Sequence, residues 1–247
     1  MRGFAGLSAA FFALMLWQSV VVLTDVPRFI LPGPGLVAET WWHSRELIAG
    51  HALVTATEIL LGLTIGAGLG IAVALLLASS RAARIFLQPV LVFSQTLPVF
   101  ALAPILTLWL GYGLGSKVAM AVLIVFFPVA SAFLDGLLRT PRGYLDLART
   151  MQARPLAVLF HIQIPAALPS LASGLRLSAV YAPIGAVIGE WVGASEGLGY
   201  LMLLANGRSK TDLMFAALFT LSILSIALYY AMKAATEHWS RQARHAA

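Results

Sequence analysis

Runs of about 20 predominantly apolar residues recur along this chain, and nothing else in it restricts the possible folds so tightly. They cover 4–23, 53–77, 86–110, 118–138, 171–192 and 213–232. Each is long enough to cross a hydrocarbon layer as a helix. In hydrocarbon, backbone amides must find partners within the segment, so such spans are helical. An all-α integral membrane protein of about six transmembrane helices is expected. The composition agrees: 60% of the 247 residues are hydrophobic and 11% charged, with mean hydropathy +0.89. There is no cysteine, which excludes a disulfide framework and thiolate chemistry.

One long stretch breaks the pattern. Residues 139–169, RTPRGYLDLARTMQARPLAVLFHIQIPAALP, carry Arg139, Arg142, Arg149 and Arg154 with Asp146 and His161. Tyr144, Leu147, Ala148 and Met151 fall at i, i+3, i+4 and i+7, so a helix here has one apolar and one charged face. It is too polar to span a bilayer. Pro155 suits the first turn of a second short helix, and Pro165 and Pro169 are expected to close the segment. A stiff helix–turn–helix between two spans predicts a docking surface for a soluble partner.

The location of the 16 Lys and Arg residues orients the chain. With the N-terminus placed inside, eleven lie in inner segments and five (Arg28, Arg45, Lys117, Arg208 and Lys210) in outer ones. The positive-inside rule then puts both termini and the 139–169 loop in the cytoplasm. It also accounts for the net charge of +6 without nucleic acid as a partner.

Stretch 139–169 resembles the cytoplasmic loop of ATP-binding-cassette importer permeases, whose pattern is Glu-Ala-Ala, three residues, Gly, nine residues, Ile-x-Leu-Pro. Asp146, Leu147 and Ala148 stand for Glu-Ala-Ala, and Ile162, Gln163, Ile164 and Pro165 for the distal end. The spacing fits without a gap. Gln152 replaces the motif glycine, a residue less suited to positive φ, so the turn is expected to differ and to rely on Arg154-Pro155. The resemblance covers about residues 50 to 235 and implies the type I importer permease fold with a cytoplasmic coupling-helix loop. It further implies a second copy of this chain, two separate ATPase subunits carrying ATP and Mg, an external solute-binding protein, and no cofactor in this chain. Asp146, Leu147, Ala148, Met151, Gln152, Ile162, Ile164 and Pro165 would be the ATPase-coupling residues. The runs 95–104, 185–193 and 197–202 look closest to the permeases for pyrimidine precursors of thiamine, within the nitrate, sulfonate and taurine branch.

The remaining features fit a transport role. Residues 1–50 are expected to form a first helix, uncleaved because no small-residue cleavage pattern follows it, and an interfacial segment anchored by Trp41 and Trp42. Residues 51–235 form the core and 236–247 a cytoplasmic tail. Gly62, Gly66 and Gly70 share a helix face, as do Gly185, Gly189 and Gly193, and allow close helix approach. Pro98 and Pro104 are expected to bend the third span beside Ser94, Gln95 and Thr96, which either wall a path or bond neighbouring helices. Gln95, Tyr181 and Glu190 are candidate path-lining residues by polarity and position. Glu58 is either functional or simply reaches water or a buried donor near the outer end. Residues 111–117 form a glycine-rich turn without P-loop spacing, and no other P-loop, HExxH or GxSxG occurs. The chain is thus not expected to be an enzyme. An ion-coupled secondary transporter is the alternative, and it requires a buried ionisable pair at mid-membrane and inverted repeats. A structural membrane scaffold is the weaker third.

Overall fold

The computed structural model describes the backbone of residues 2–245; the side chains of residues 2–7, 9, 10, 95 and 238–245 lie outside the described set. Every regular element is helical among the described residues. The helices are α1 (Arg2–Thr24), α2 (Pro34–His43), α3 (Arg45–Ser79), α4 (Arg81–Thr96), α5 (Val99–Leu110), α6 (Leu114–Leu138), α7 (Arg142–Thr150), α8 (Pro155–Val158), α9 (Ile164–Gly193), α10 (Leu198–Gly207) and α11 (Thr211–His245). A π-helical turn, Leu159–Gln163, joins α8 to α9.

Four continuous stretches are long and apolar enough to cross a membrane: Arg45–Ser79, Leu114–Leu138, Pro155–Gly193 and Thr211–Glu237. The pair α4 and α5 makes a fifth candidate, bent by 98°. The first expected span coincides with α1.

Several boundaries differ from those expected. The gap between the apolar runs 53–77 and 86–110 is helical: only Ser80 separates α3 from α4, which begins at Arg81. Ser80 is extended and its hydroxyl accepts the Ala83 N–H at 3.1 Å, the bond of an N-cap. Arg84 then donates from Nε to the Leu77 carbonyl at 3.0 Å and from Nη2 to the Ala78 carbonyl at 3.2 Å. A cation thereby satisfies carbonyls that the end of α3 leaves open. In the third span the break falls at Pro98 alone. Leu97 takes φ −75°, ψ 125°, the extended conformation that a following proline imposes, while Pro104 sits inside α5. Nor do Pro165 and Pro169 close the polar stretch. Both lie within α9, which continues from α8 through the π turn. A π turn shifts the hydrogen-bond register by one residue, which eases a proline just beyond it.

The chain forms two compact units. One comprises Met1–Thr55 and Ser195–Ile223. Its core gathers Val37, Ile48, Leu198, Leu201, Ala216 and Ala217, and Trp17 stacks on Phe215 and Phe219 with centroids 5.7 Å from each. His51 Nδ1 accepts the Gly197 N–H at 3.0 Å and Thr55 Oγ1 the Leu198 N–H at 2.8 Å, so α3 caps the start of α10. Trp41, expected at the interface, donates its indole N–H to Thr220 Oγ1 at 3.0 Å.

The other unit comprises Ala56–Ala194 and Leu224–Ala247. Here α6 is the spine. Its buried residues Val125, Val129, Ala130, Phe133, Leu134 and Leu137 form much of the core. The glycine stripe of α3 lies on it: a Cβ at Gly66 would stand 2.8 Å from Val125 Cγ1, and one at Gly70 2.8 Å from the Phe126 carbonyl oxygen. From the other side α9 meets α6 along its whole length. A Cβ at Gly174 would stand 2.9 Å from the Pro128 oxygen, and one at Gly185 2.7 Å from Ala121 Cα. Both glycine faces read from sequence therefore serve close helix packing. Ser178 adds a bond from its hydroxyl to the Val125 carbonyl at 3.1 Å.

Candidate functional site

At one end of the α6–α9 pair stands the polar loop. Helix α7 opens after Pro141 and ends in a Schellman motif: the Gln152 N–H donates to the Arg149 carbonyl at 2.9 Å and the Ala153 N–H to the Ala148 carbonyl at 3.0 Å. That motif needs a left-handed residue at its second position. Gln152 supplies it with φ 53°. The turn expected to change for lack of a glycine thus keeps its left-handed form and carries strain instead, of about 1–2 kcal/mol for an L residue. Arg154-Pro155 does not replace it; Pro155 only opens α8. Gln152→Gly is expected to stabilise the turn by up to about 1 kcal/mol, since glycine's larger unfolded-state entropy offsets part of the relief. Slower amide hydrogen exchange at 151–153 with undiminished transport is the expected measurement; faster exchange would contradict it.

The loop is held from beneath and bare on top. Ala148 is buried, and Leu159 belongs to the core of its unit. Leu147 is 59% exposed, Met151 72%, Leu156 64% and Phe160 57%. Tyr144, Leu147, Ala148 and Met151 line one cleft of about 210 Å³ with Ala157, Val158, His161 and Ile162. Asp146 is exposed and accepts from Arg149 Nη1 at 3.0 Å. Ile162 and Ile164 are half-buried and Pro165 exposed. Of the eight residues read from the motif, Asp146, Leu147 and Ala148 lie in α7, Met151 and Gln152 in the turn after it, Ile162 in the π turn, and Ile164 and Pro165 at the start of α9; Ala148 faces inward.

The candidate path residues differ in exposure where they are described. Tyr181 is 39% exposed on α9. Gln95 belongs to α4, its side chain outside the described residues. Glu190 is 1% exposed and faces Glu58 of α3, itself fully buried.

That contact belongs to a cluster sequence reasoning missed. Lys117, expected in a turn, is the fourth residue of α6 and 7% exposed. Its Nζ stands 3.3 Å from Glu58 Oε1. The backbone of Gly189, beside Glu190, lies against Lys117: a Cβ there would stand 2.9 Å from Lys117 Cα. Three ionisable side chains from α3, α6 and α9 thus meet at the end of the α6–α9 pair remote from the loop. The available signal was that all three are isolated charges at or beside the ends of apolar runs. Lys117 and Glu58 thus form a buried ionisable pair, with Lys117 in the first turn of α6 and Glu190 in the last turn of α9.

Comparison with known proteins agrees with this architecture. Residues 66–244 match the family described as binding-protein-dependent transport system inner membrane component. The chain is 52% identical over 219 residues to an ABC transporter permease protein of Haemophilus influenzae, covering 89% of each. It is 39% identical over 236 residues to the formylaminopyrimidine transport permease protein ThiX of Halalkalibacterium halodurans, covering 94% of each. It is 38% identical to the riboflavin transport system permease protein RibX of Chloroflexus aurantiacus, covering 87% of this chain and 81% of that one. In fold it is similar to a chain of the inward-facing MetNI methionine ABC transporter, with TM-score 0.65 at 20% identity over 84% of this chain and 98% of the other. Helical spans, a polar loop exposed between α6 and α9, and these matches together establish that the chain belongs to the family of binding-protein-dependent transport system inner membrane components, as a permease subunit of an ABC importer.

Proposed function

We propose that α7 and α8 are the grip by which an ATPase subunit drives this permease. The observation that carries the proposal is the exposure of Leu147 and Met151, which line one cleft with Ala157 and His161 on a loop fixed by buried Ala148 and Leu159. Apolar side chains outside the spans, on a pre-ordered scaffold, suit a protein groove better than water. Asp146, Gln152, Ile162, Ile164 and Pro165 shape the loop around that cleft. Each ATPase, with its ATP and Mg, engages one loop, so two copies of the chain assemble with two ATPases and an external binding protein. Both termini and the loop face the cytoplasm, as the distribution of Lys and Arg favours. Tyr181 and Gln95 line the path, and alternating exposure to the two sides follows from the differing stability of two states.

For the cargo, the relatives at 38–39% identity bear names for formylaminopyrimidine and riboflavin transport. Both ligands contain a pyrimidine ring, riboflavin within its fused ring system. A pyrimidine precursor of thiamine is accordingly the proposed solute, in preference to nitrate, a sulfonate or taurine. In a strain unable to make that pyrimidine, growth on micromolar hydroxymethylpyrimidine or formylaminopyrimidine is expected to require this gene. Equal growth of the deletion strain, with loss of growth on taurine sulfur instead, would move the assignment to sulfonates.

A further inference from the structure

We propose that Lys117 is a positioning residue of the transport step: with Glu58 and Glu190 it ties the outer ends of α3, α6 and α9 so that they move as one body. The proposal rests on the reading of α7 and α8 as the ATPase grip.

The inner ends of α6 and α9 are held by the loop between them, by the buried Leu159 at its base, and by close contact at Gly136 and Gly174. Farther out, α3 and α9 both rest on α6 through glycines. Between helices in lipid there is no hydrophobic force to keep them together, so small-residue packing and polar contacts carry the association. The last such contact on α9 facing Lys117 is Gly189, whose backbone lies against its Cα. At that level the Lys117 ammonium, 3.3 Å from Glu58 Oε1, stands where Glu190 faces Glu58. Parting these helices would leave charges unpaired in a low-dielectric layer, an arrangement strongly resisted. One cation among three helices is therefore a clasp. A displacement imposed on the loop reaches the outer ends of all three without slippage. Removing the cation severs α6 from the Glu58–Glu190 contact, so α6 comes free of α3 and α9 at the outer ends only.

The natural chain contains no cysteine, so introduced pairs can be spin-labelled uniquely. One pair, Leu114→Cys with Trp191→Cys, reports the outer ends of α6 and α9; a second, Leu138→Cys with Ser173→Cys, reports the inner ends. All four positions are exposed in the chain. The full complex with its ATPase, carrying one labelled copy, is measured in nanodiscs without nucleotide and after trapping with ATP and vanadate. In the otherwise natural chain both distance distributions should be narrow and unchanged by trapping. In Lys117→Met the outer distribution should broaden about twofold, because α6 has lost its ion pair to Glu58, while the inner one stays narrow. The exchange Glu58→Lys with Lys117→Glu should narrow the outer distribution again. If Lys117→Met does not assemble, Glu58→Gln gives the same readout from a milder change. A narrow outer distribution in the charge-removed variant, or no recovery on exchange, would overturn the clasp alone. Failure of the natural chain to co-purify with any ATPase would overturn the grip and the clasp together.

Discussion

Leu147→Asp combined with Met151→Asp is expected to abolish ATPase docking and uptake while leaving the spans inserted. The two side chains are 59% and 72% exposed and belong to no buried core. Their replacement therefore costs the chain's own packing little. An interface residue buried at the centre of a contact contributes about 2 kcal/mol or more. Losing two, and desolvating two carboxylates, is expected to weaken docking by at least about 4 kcal/mol, close to a thousandfold in Kd. Asp146, already acidic on this loop, sits within one turn and adds repulsion. Co-purification of the ATPase with the tagged permease, beside recovery of the permease from membranes, is the measurement. Full membrane recovery with no ATPase bound is the expected pair of results. An ATPase bound as tightly as before would remove this face from the interface.

The spans were legible because membrane insertion is a length and polarity rule, written in consecutive residues. The loop was legible because its helical period and its proline lie close together in the chain. The same locality explains the errors. The break at Pro98 rather than Pro104 depends on what surrounds each proline, and α5 accommodates Pro104 within the helix. Gln152 misled because composition records a residue's preference, whereas the Schellman bonds from residues 152 and 153 fix its φ at 53°. Tertiary closure outweighed about 1–2 kcal/mol of local cost. The clasp was invisible for a different reason. Glu58, Lys117 and Glu190 come from three separate apolar runs, and each alone reads as an end-of-span charge. Only the packing of α3 and α9 on α6 brings them to one level. Glu190 was singled out for polarity and position, and packing buries it to 1% exposure beside Glu58.

Gly185→Leu is expected to be among the most destabilising single substitutions in this chain, and Gly68→Leu among the mildest. The two changes are identical and both fall inside long apolar helices, so helix propensity and hydropathy shift equally. They differ in what lies opposite. At Gly185 a Cβ would meet Ala121 Cα at 2.7 Å, the Ala121 nitrogen at 3.2 Å and the Met120 oxygen at 3.3 Å. These are backbone atoms of α6 and cannot rotate aside, so the two helices must separate. At Gly68 nothing lies within 4 Å. Overpacking of this kind typically costs about 1–3 kcal/mol. Here the upper end or more is expected, because separation also removes contacts along neighbouring turns of α6 and α9. Gly68→Leu should gain about 0.5–1 kcal/mol from relief of the glycine's backbone entropy. Thermal unfolding of the purified permease in detergent should place Gly185→Leu well below the natural protein and Gly68→Leu at or above it. Equal melting of the two variants would mean that α6 and α9 do not depend on close backbone approach. The rigid transmission from loop to clasp would then lose its mechanical basis, since a displacement at one end reaches the other only if nothing between them yields.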